Sequence, residues 1–81
     1  MLKIVYQLCT RKKEFGGNHR VERKTDPQRD FFFYHNNNVC TVDHETRTYH
    51  LDNCGYTHSS STTRILNDYR TYWNKQDYTE I

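Results

Sequence analysis

A chain of 81 residues has room for one domain and a small core, because a domain this size buries only about 60% of its unfolded surface. Hydrophobic residues make up 33% of the chain and aromatics 15%, with seven tyrosines, so rings rather than aliphatic bulk must fill much of the interior. A net charge of +2 is low for a dedicated nucleic-acid binder, and no apolar run approaches the roughly 18 residues of a membrane span.

The first segment, "LKIVYQLC", alternates Leu2, Ile4, Tyr6 and Leu8 with Lys3, Val5, Gln7 and Cys9. That period predicts a strand with one buried face. It lacks a small-residue cleavage site and does not read as a leader. With three cysteines, an odd number, the expectation is reduced thiols in a cytosol.

Residues 11–29 come next and carry seven Lys/Arg against three acids, +4, whereas the chain from Asp30 onward sums to −3. Gly16-Gly17-Asn18 signals a turn and Pro27 opposes regular structure, so 11–29 reads as a basic loop excursion with room for a short strand near His19 to Lys24. A basic segment joined to a mildly acidic body points to a charged partner. Arg11, Lys12, Lys13, Arg20, Arg23 and Lys24 are its candidate contact residues.

Residues 30–53 predict a β-meander with turns at Asn36-Asn37 and at His44 to Arg47, since asparagine tolerates the positive φ of tight turns. In that register Phe33 faces Cys40, Phe31 faces Val42, Val42 faces Tyr49 and Cys40 faces Leu51. Phe31, Phe33, Cys40, Val42, Tyr49 and Leu51 then form the core face. Phe32 and Tyr34 fall on the opposite face, where exposed rings suit base stacking or a protein contact.

Five hydroxyl residues, Ser59 to Thr63, precede Ile65, Leu66, Tyr69, Tyr72 and Trp73 at spacings of three and four. The pattern predicts an amphipathic helix over 62–75, with Ser61 or Thr62 as its cap. Ile65, Tyr69 and Trp73 are its expected contacts with the sheet. The surplus hydroxyls and Arg64 suit an anion at a helix start, but the glycine-rich lead-in of a nucleotide loop is missing.

Cys40, His44, His50, Cys54 and His58 are five potential zinc ligands within nineteen residues. None has the tight Cys-x2-Cys spacing, and the register separates Cys40 from His50, so no metal or other cofactor is expected. Cys54 near a helix start, with His58 or His50 as base, is the one nucleophile arrangement available. No signature surrounds it, and the chain reads as a non-enzyme.

The whole reads as a single α+β domain over 1–81: a three- to four-stranded antiparallel sheet with one C-terminal helix packed on one face. The segment "VCTVDHETRTYHLDNCGYTHSSSTTRILNDYRTYW", with its Gly-Tyr, Ser/Thr-rich cap, Thr-Thr-Arg and Tyr-rich helix, resembles short bacteriophage-type domains of unassigned function. The terminal "DYTEI" fits that pattern, and the similarity covers residues 39–81. The resemblance implies a small phage or mobile-element protein, of the anti-CRISPR kind, that binds and inhibits a Cas effector or other defence nuclease in the host cytoplasm. It transfers no catalytic residue, and the chain departs from the strongly acidic inhibitors that imitate DNA. The alternative expectation is a nucleic-acid-binding accessory protein.

Overall fold

The computed structural model describes residues 3–10, 14–15, 18–25, 28–55 and 60–81. In chain order these form α1 (Lys3–Thr10), β1 (Glu14–Phe15), β2 (His19–Thr25), β3 (Gln28–Tyr34), β4 (Asn37–Asp43), β5 (Thr48–Leu51), α2 (Ser60–Lys75) and β6 (Thr79–Glu80). The strands lie side by side in the order of the chain. Each neighbouring pair from β1 to β5 is antiparallel, while β6 returns through α2 to pair parallel with β5, as a helical crossover allows. The α+β class, the meander and the C-terminal helix over one face are as expected. The sheet is larger than expected, with six strands among the described residues, and it is mixed rather than wholly antiparallel because of β6.

The first segment is a helix, not a strand. Val5 and Leu8, three apart, are buried, while Tyr6 is 46% exposed. An eight-residue run satisfies period 2 and period 3.6 about equally, and tertiary contacts decide between them. Here Tyr6 stacks on Tyr72 of α2, with ring centroids 6.2 Å apart. The Arg23 guanidinium of β2 donates to the Leu8 carbonyl in the last turn, satisfying an acceptor that the helix leaves open.

Much of the basic excursion is also regular structure. β2 spans His19–Thr25 and pairs along its full length with β3, from His19↔Tyr34 to Thr25↔Gln28. Its alternation turns Val21 and Arg23 toward the helices and Arg20, Glu22 and Lys24 away. Residues 11–13, 16–17 and 26–27 of the excursion lie outside the described residues.

The β3–β4 hairpin corrects the expected register. The turn is His35-Asn36, with φ of 50° and 64°, one residue earlier than expected, and Tyr34 pairs with Asn37. Positive φ at both central residues is the geometry whose twist suits a two-residue hairpin loop. Moving the turn by one residue shifts the pairing by two. A bulge then restores one, because Phe33 pairs with Asn38 but Phe32 pairs with Cys40, leaving Val39 as the extra residue. The net slip is one residue, and it exchanges the faces of β3. Phe32 is therefore the fully buried ring, at 0% exposure, and Phe31 and Phe33 lie on the other face.

The β4–β5 hairpin has the expected register, Cys40↔Leu51, Val42↔Tyr49 and Asp43↔Thr48. Its turn is held by Asp43, whose Oδ1 accepts from the backbone N–H groups of Glu45 and Thr46 at 2.9 and 3.3 Å.

Helix α2 starts at Ser60, two residues before the expected start, and buries Thr62, Ile65, Tyr69, Tyr72 and Trp73. Ser61 and Thr62 thus belong to its first turn rather than preceding it; Ser59, the residue before the helix, lies outside the described residues. At the other end Asp77 adopts φ of 64° and the Tyr78 N–H donates to the Trp73 carbonyl at 3.0 Å. This left-handed termination satisfies a last-turn carbonyl and turns the chain back toward the sheet.

The core lies between the helices and one sheet face. Val5 and Leu8 of α1, Val21, Phe32, Val42 and Tyr49 of the sheet, and Tyr69 and Trp73 of α2 form one buried cluster. Phe32 sits at its centre, with ring centroids 4.9 Å from Tyr69 and 6.2 Å from Trp73. Phe32→Ala should cost about 3–5 kcal/mol, enough to unfold much of a marginal domain, whereas Phe31→Ala should cost far less. Denaturant melts of the two variants check this, and equal losses would reinstate the expected register.

Candidate partner-binding face

Among the described residues, both helices pack on the same side of the sheet, and no element covers the other side. Across that open face the strand pairings set three rows of side chains. Arg20, Phe33 and Asn38, in register with Glu14 of β1, form one; Glu22, Phe31, Thr41 and His50 the next; Lys24, Arg29, Asp43 and Thr48, in register with Thr79 of β6, the third. Two half-buried rings thus occupy β3, in the middle of the sheet, with cations beside them and polar side chains along β4 and β5.

The contacts within this face are short and local. The Arg20 guanidinium lies over the Phe33 ring, 3.9 Å from its centroid, and approaches Glu22 at 3.4 Å. Glu22 is shared with Lys24 at 3.9 Å, and Arg29 meets Asp43 at 3.4 Å. Such exposed pairs contribute little stability. Arg20 Nη1 is enclosed yet has no hydrogen-bond partner among the described residues. Slight desolvation of Asp43 is outweighed by the N–H groups of Glu45 and Thr46 and by Arg29, which together hold its carboxyl below the usual range. The Asn38 amide donates to the Phe32 and Cys40 carbonyls at 3.1 and 3.2 Å, fastening the bulge, and its oxygen accepts from the Thr41 hydroxyl at 2.9 Å.

The expected contact residues divide accordingly. Arg20 and Lys24 stand on the open face. Arg23 is turned to the helix side, where it donates to Leu8. Phe32 is core, and half-buried Tyr34 stacks on His19 at 4.7 Å, also on the helix side. Arg11, Lys12 and Lys13 lie outside the described residues. Phe31 and Phe33 are face residues that the expected register turned to the core, and Arg29, read as loop, is the first cation of β3.

The Cys/His cluster does not converge. Cys40 is buried in the core, His50 Nδ1 lies 3.2 Å from the Ile81 carbonyl oxygen, and the Cys54 thiol donates to the Asn38 carbonyl at 3.2 Å. His58 lies outside the described residues, among which no three His, Cys, Asp or Glu side chains are grouped to hold a metal. Burial and the Asp52 carboxylate push the Cys54 thiol up, the reverse of an activated nucleophile.

His44 instead joins three elements. Its Nε2 lies 3.0 Å from Oδ2 of Asp30, a residue 6% exposed, and its Nδ1 lies 2.7 Å from the Tyr78 hydroxyl. A carboxylate only accepts, so Nε2 carries the hydrogen and, in the neutral ring, Nδ1 accepts from Tyr78. The imidazole packs edge-on against Trp73, 5.8 Å between centroids. Both ring nitrogens are engaged inside the fold, so the relay ties the sheet to the segment after α2 and leaves no nitrogen to activate a substrate.

Comparison of the chain with protein-family models, curated proteins and solved structures finds no match.

Two measurements follow from this geometry. Tyr78→Phe leaves the His44 acceptor unpaired and should cost about 1–2 kcal/mol, lowering the melting temperature by roughly 4–16 °C in a domain this size; an unchanged melting temperature would show the relay to be idle. His19 gives a pH effect. Burial first, and then neighbouring His35, push its imidazole below 6.5, so the unfolded chain takes up the proton before the folded one does. Stability should therefore fall as pH drops below about 6.5, and His19→Phe, which keeps a ring on Tyr34, should flatten part of that slope. Parallel slopes for both proteins in melts from pH 7.5 to 5 would contradict the assignment.

Proposed function

We propose that the protein is a non-enzymatic binding module whose working surface is the open sheet face, and that it serves a phage or mobile element by occupying a defence nuclease, such as a Cas effector, in the cytoplasm of a host bacterium. The observation that carries the binding reading is the arrangement of half-buried Phe31 and Phe33, which no described element covers, flanked by Arg20, Lys24 and Arg29. Aromatic and arginine side chains gathered on a rigid surface are the composition of binding hot spots. The segment at residues 39–81 that resembles short phage-type domains supports the choice of target.

A sheet face suits this role because its side chains are fixed by the ladders beneath them, so little ordering cost falls on binding. No step of chemistry is assigned to the chain. Inhibition follows from occupancy, since a guide-bound effector works through exposed nucleic acid, a DNA channel and moving nuclease domains, and blocking any one suffices.

The test is a cleavage assay with purified effectors titrated with the protein and with the variant Arg20→Glu/Lys24→Glu/Arg29→Glu. All three side chains lie on the face that no described element covers, so the variant should keep its fold at a modest cost from the like charges it sets beside Glu22 and Asp43, which a melt verifies. The folded variant should inhibit about tenfold or more weakly, with the loss growing as salt is lowered. Undiminished inhibition by the folded variant would remove this face from the mechanism.

A further inference from the structure

We infer that the open face takes a single strand of nucleic acid, with two successive unpaired bases stacked on Phe31 and Phe33 and the backbone running past Arg29 and Arg20. This deepens the reading of that face as the working surface and does not depend on which effector is engaged.

The rings supply the first argument. Phe31 and Phe33 lie two residues apart on the same face of a central strand, which spaces them about 6–7 Å apart, and unpaired bases can stack on successive aromatic side chains so presented. Phe33 already carries a planar group, the Arg20 guanidinium at 3.9 Å. A base would take that place, and Arg20, with Nη1 lacking a partner among the described residues, would move to a phosphate. Asn38 and Thr41, in the rows of the two rings, offer donors and acceptors to base edges.

Charge narrows the choice of ligand. Arg20 and Lys24 divide Glu22, Arg29 meets Asp43, and Glu14 stands in register with Arg20, so acids balance the cations of the face and only a ligand that also stacks on the rings gains by drawing those cations to its phosphates. An RNA-guided nuclease holds its heteroduplex in a positively charged channel and displaces one strand of its target. The displaced strand offers unpaired bases and phosphates together, whereas the channel wall offers neither.

Fluorescence anisotropy with a labelled ten-nucleotide oligo-U or oligo-dT, and with a duplex of equal length, tests this on the full chain. The expected result is binding of the single strand at least tenfold tighter than the duplex, whose stacked bases are closed to the rings. The slope of log K against log salt should lie near −2, as about three phosphate contacts to a single strand give. Phe33→Leu, which keeps an apolar side chain at the site, should weaken binding about tenfold or more, and Phe33→Trp should restore it. Absence of binding at low salt, equal affinity for duplex, or full affinity in Phe33→Leu would overturn the inference. If oligonucleotides fail to bind while the charge-reversed variant loses nuclease inhibition, the face contacts protein and the proposed function stands. If single strands bind as described but no effector is inhibited, the proposed function fails and this inference stands.

Discussion

The pairing of β3 with β4 governs everything else in this fold. Side chains alternate along a strand, so a one-residue slip between these strands exchanges the core face of β3 for its outer face. Two local features set the slip: the His35-Asn36 turn, with both residues at positive φ, and the extra residue Val39, whose bulge is fastened by the Asn38 amide bridging the Phe32 and Cys40 carbonyls. With the pairing so fixed, Phe32 enters the core under Tyr69 and Trp73, and Asp30 comes within reach of His44. The same slip places Phe31 and Phe33 on the uncovered side. Core and candidate binding face are two outcomes of one register.

Burial of Asp30 is the second demand on the structure, because a carboxylate in an apolar setting needs its acceptors filled. His44 meets it from the β4–β5 turn, and Tyr78 completes the chain of hydrogen bonds from beyond α2. The position of Tyr78 depends in turn on the left-handed Asp77, which bends the chain off the helix and lays β6 beside β5. Polar residues in a small core thus specify how the last segment docks, while the aromatic cluster supplies most of the burial.

The sequence was legible where a pattern had one solution. The spacing of Ile65, Tyr69, Tyr72 and Trp73 admits only a helix, and the β4–β5 pairing follows from a four-residue turn with apolar partners on both sides. It was ambiguous where two solutions are equally apolar. In Phe31-Phe32-Phe33-Tyr34 every register buries a ring, so hydrophobicity does not choose, and the choice falls to a turn and a bulge whose signals are single asparagines. Likewise Val5 and Leu8 serve a helix as well as Leu2, Ile4, Tyr6 and Leu8 serve a strand, and packing against Tyr72 decided. Polarity made most of the basic segment look like loop, although the short strand expected near His19 to Lys24 is there as β2. Arg29 begins the next strand, β3, and reading it as loop kept it out of the candidate site.

The order of strands in space repeats their order in the chain, so most pairings close short loops, a topology associated with rapid folding. The exception is β6, which must wait for α2 to cross before it can meet β5. The contacts it brings, Tyr78 on His44 and the Ile81 N–H on the Tyr49 carbonyl at 2.9 Å, join parts of the chain about thirty residues apart. Because β6 cannot pair until α2 has crossed the sheet, these contacts are expected to form late and to stabilise the native state more than they hasten its formation. On that expectation the C-terminal segment acts chiefly on the rate of escape, and so on the lifetime of the folded protein, while the hairpins act on how quickly it forms.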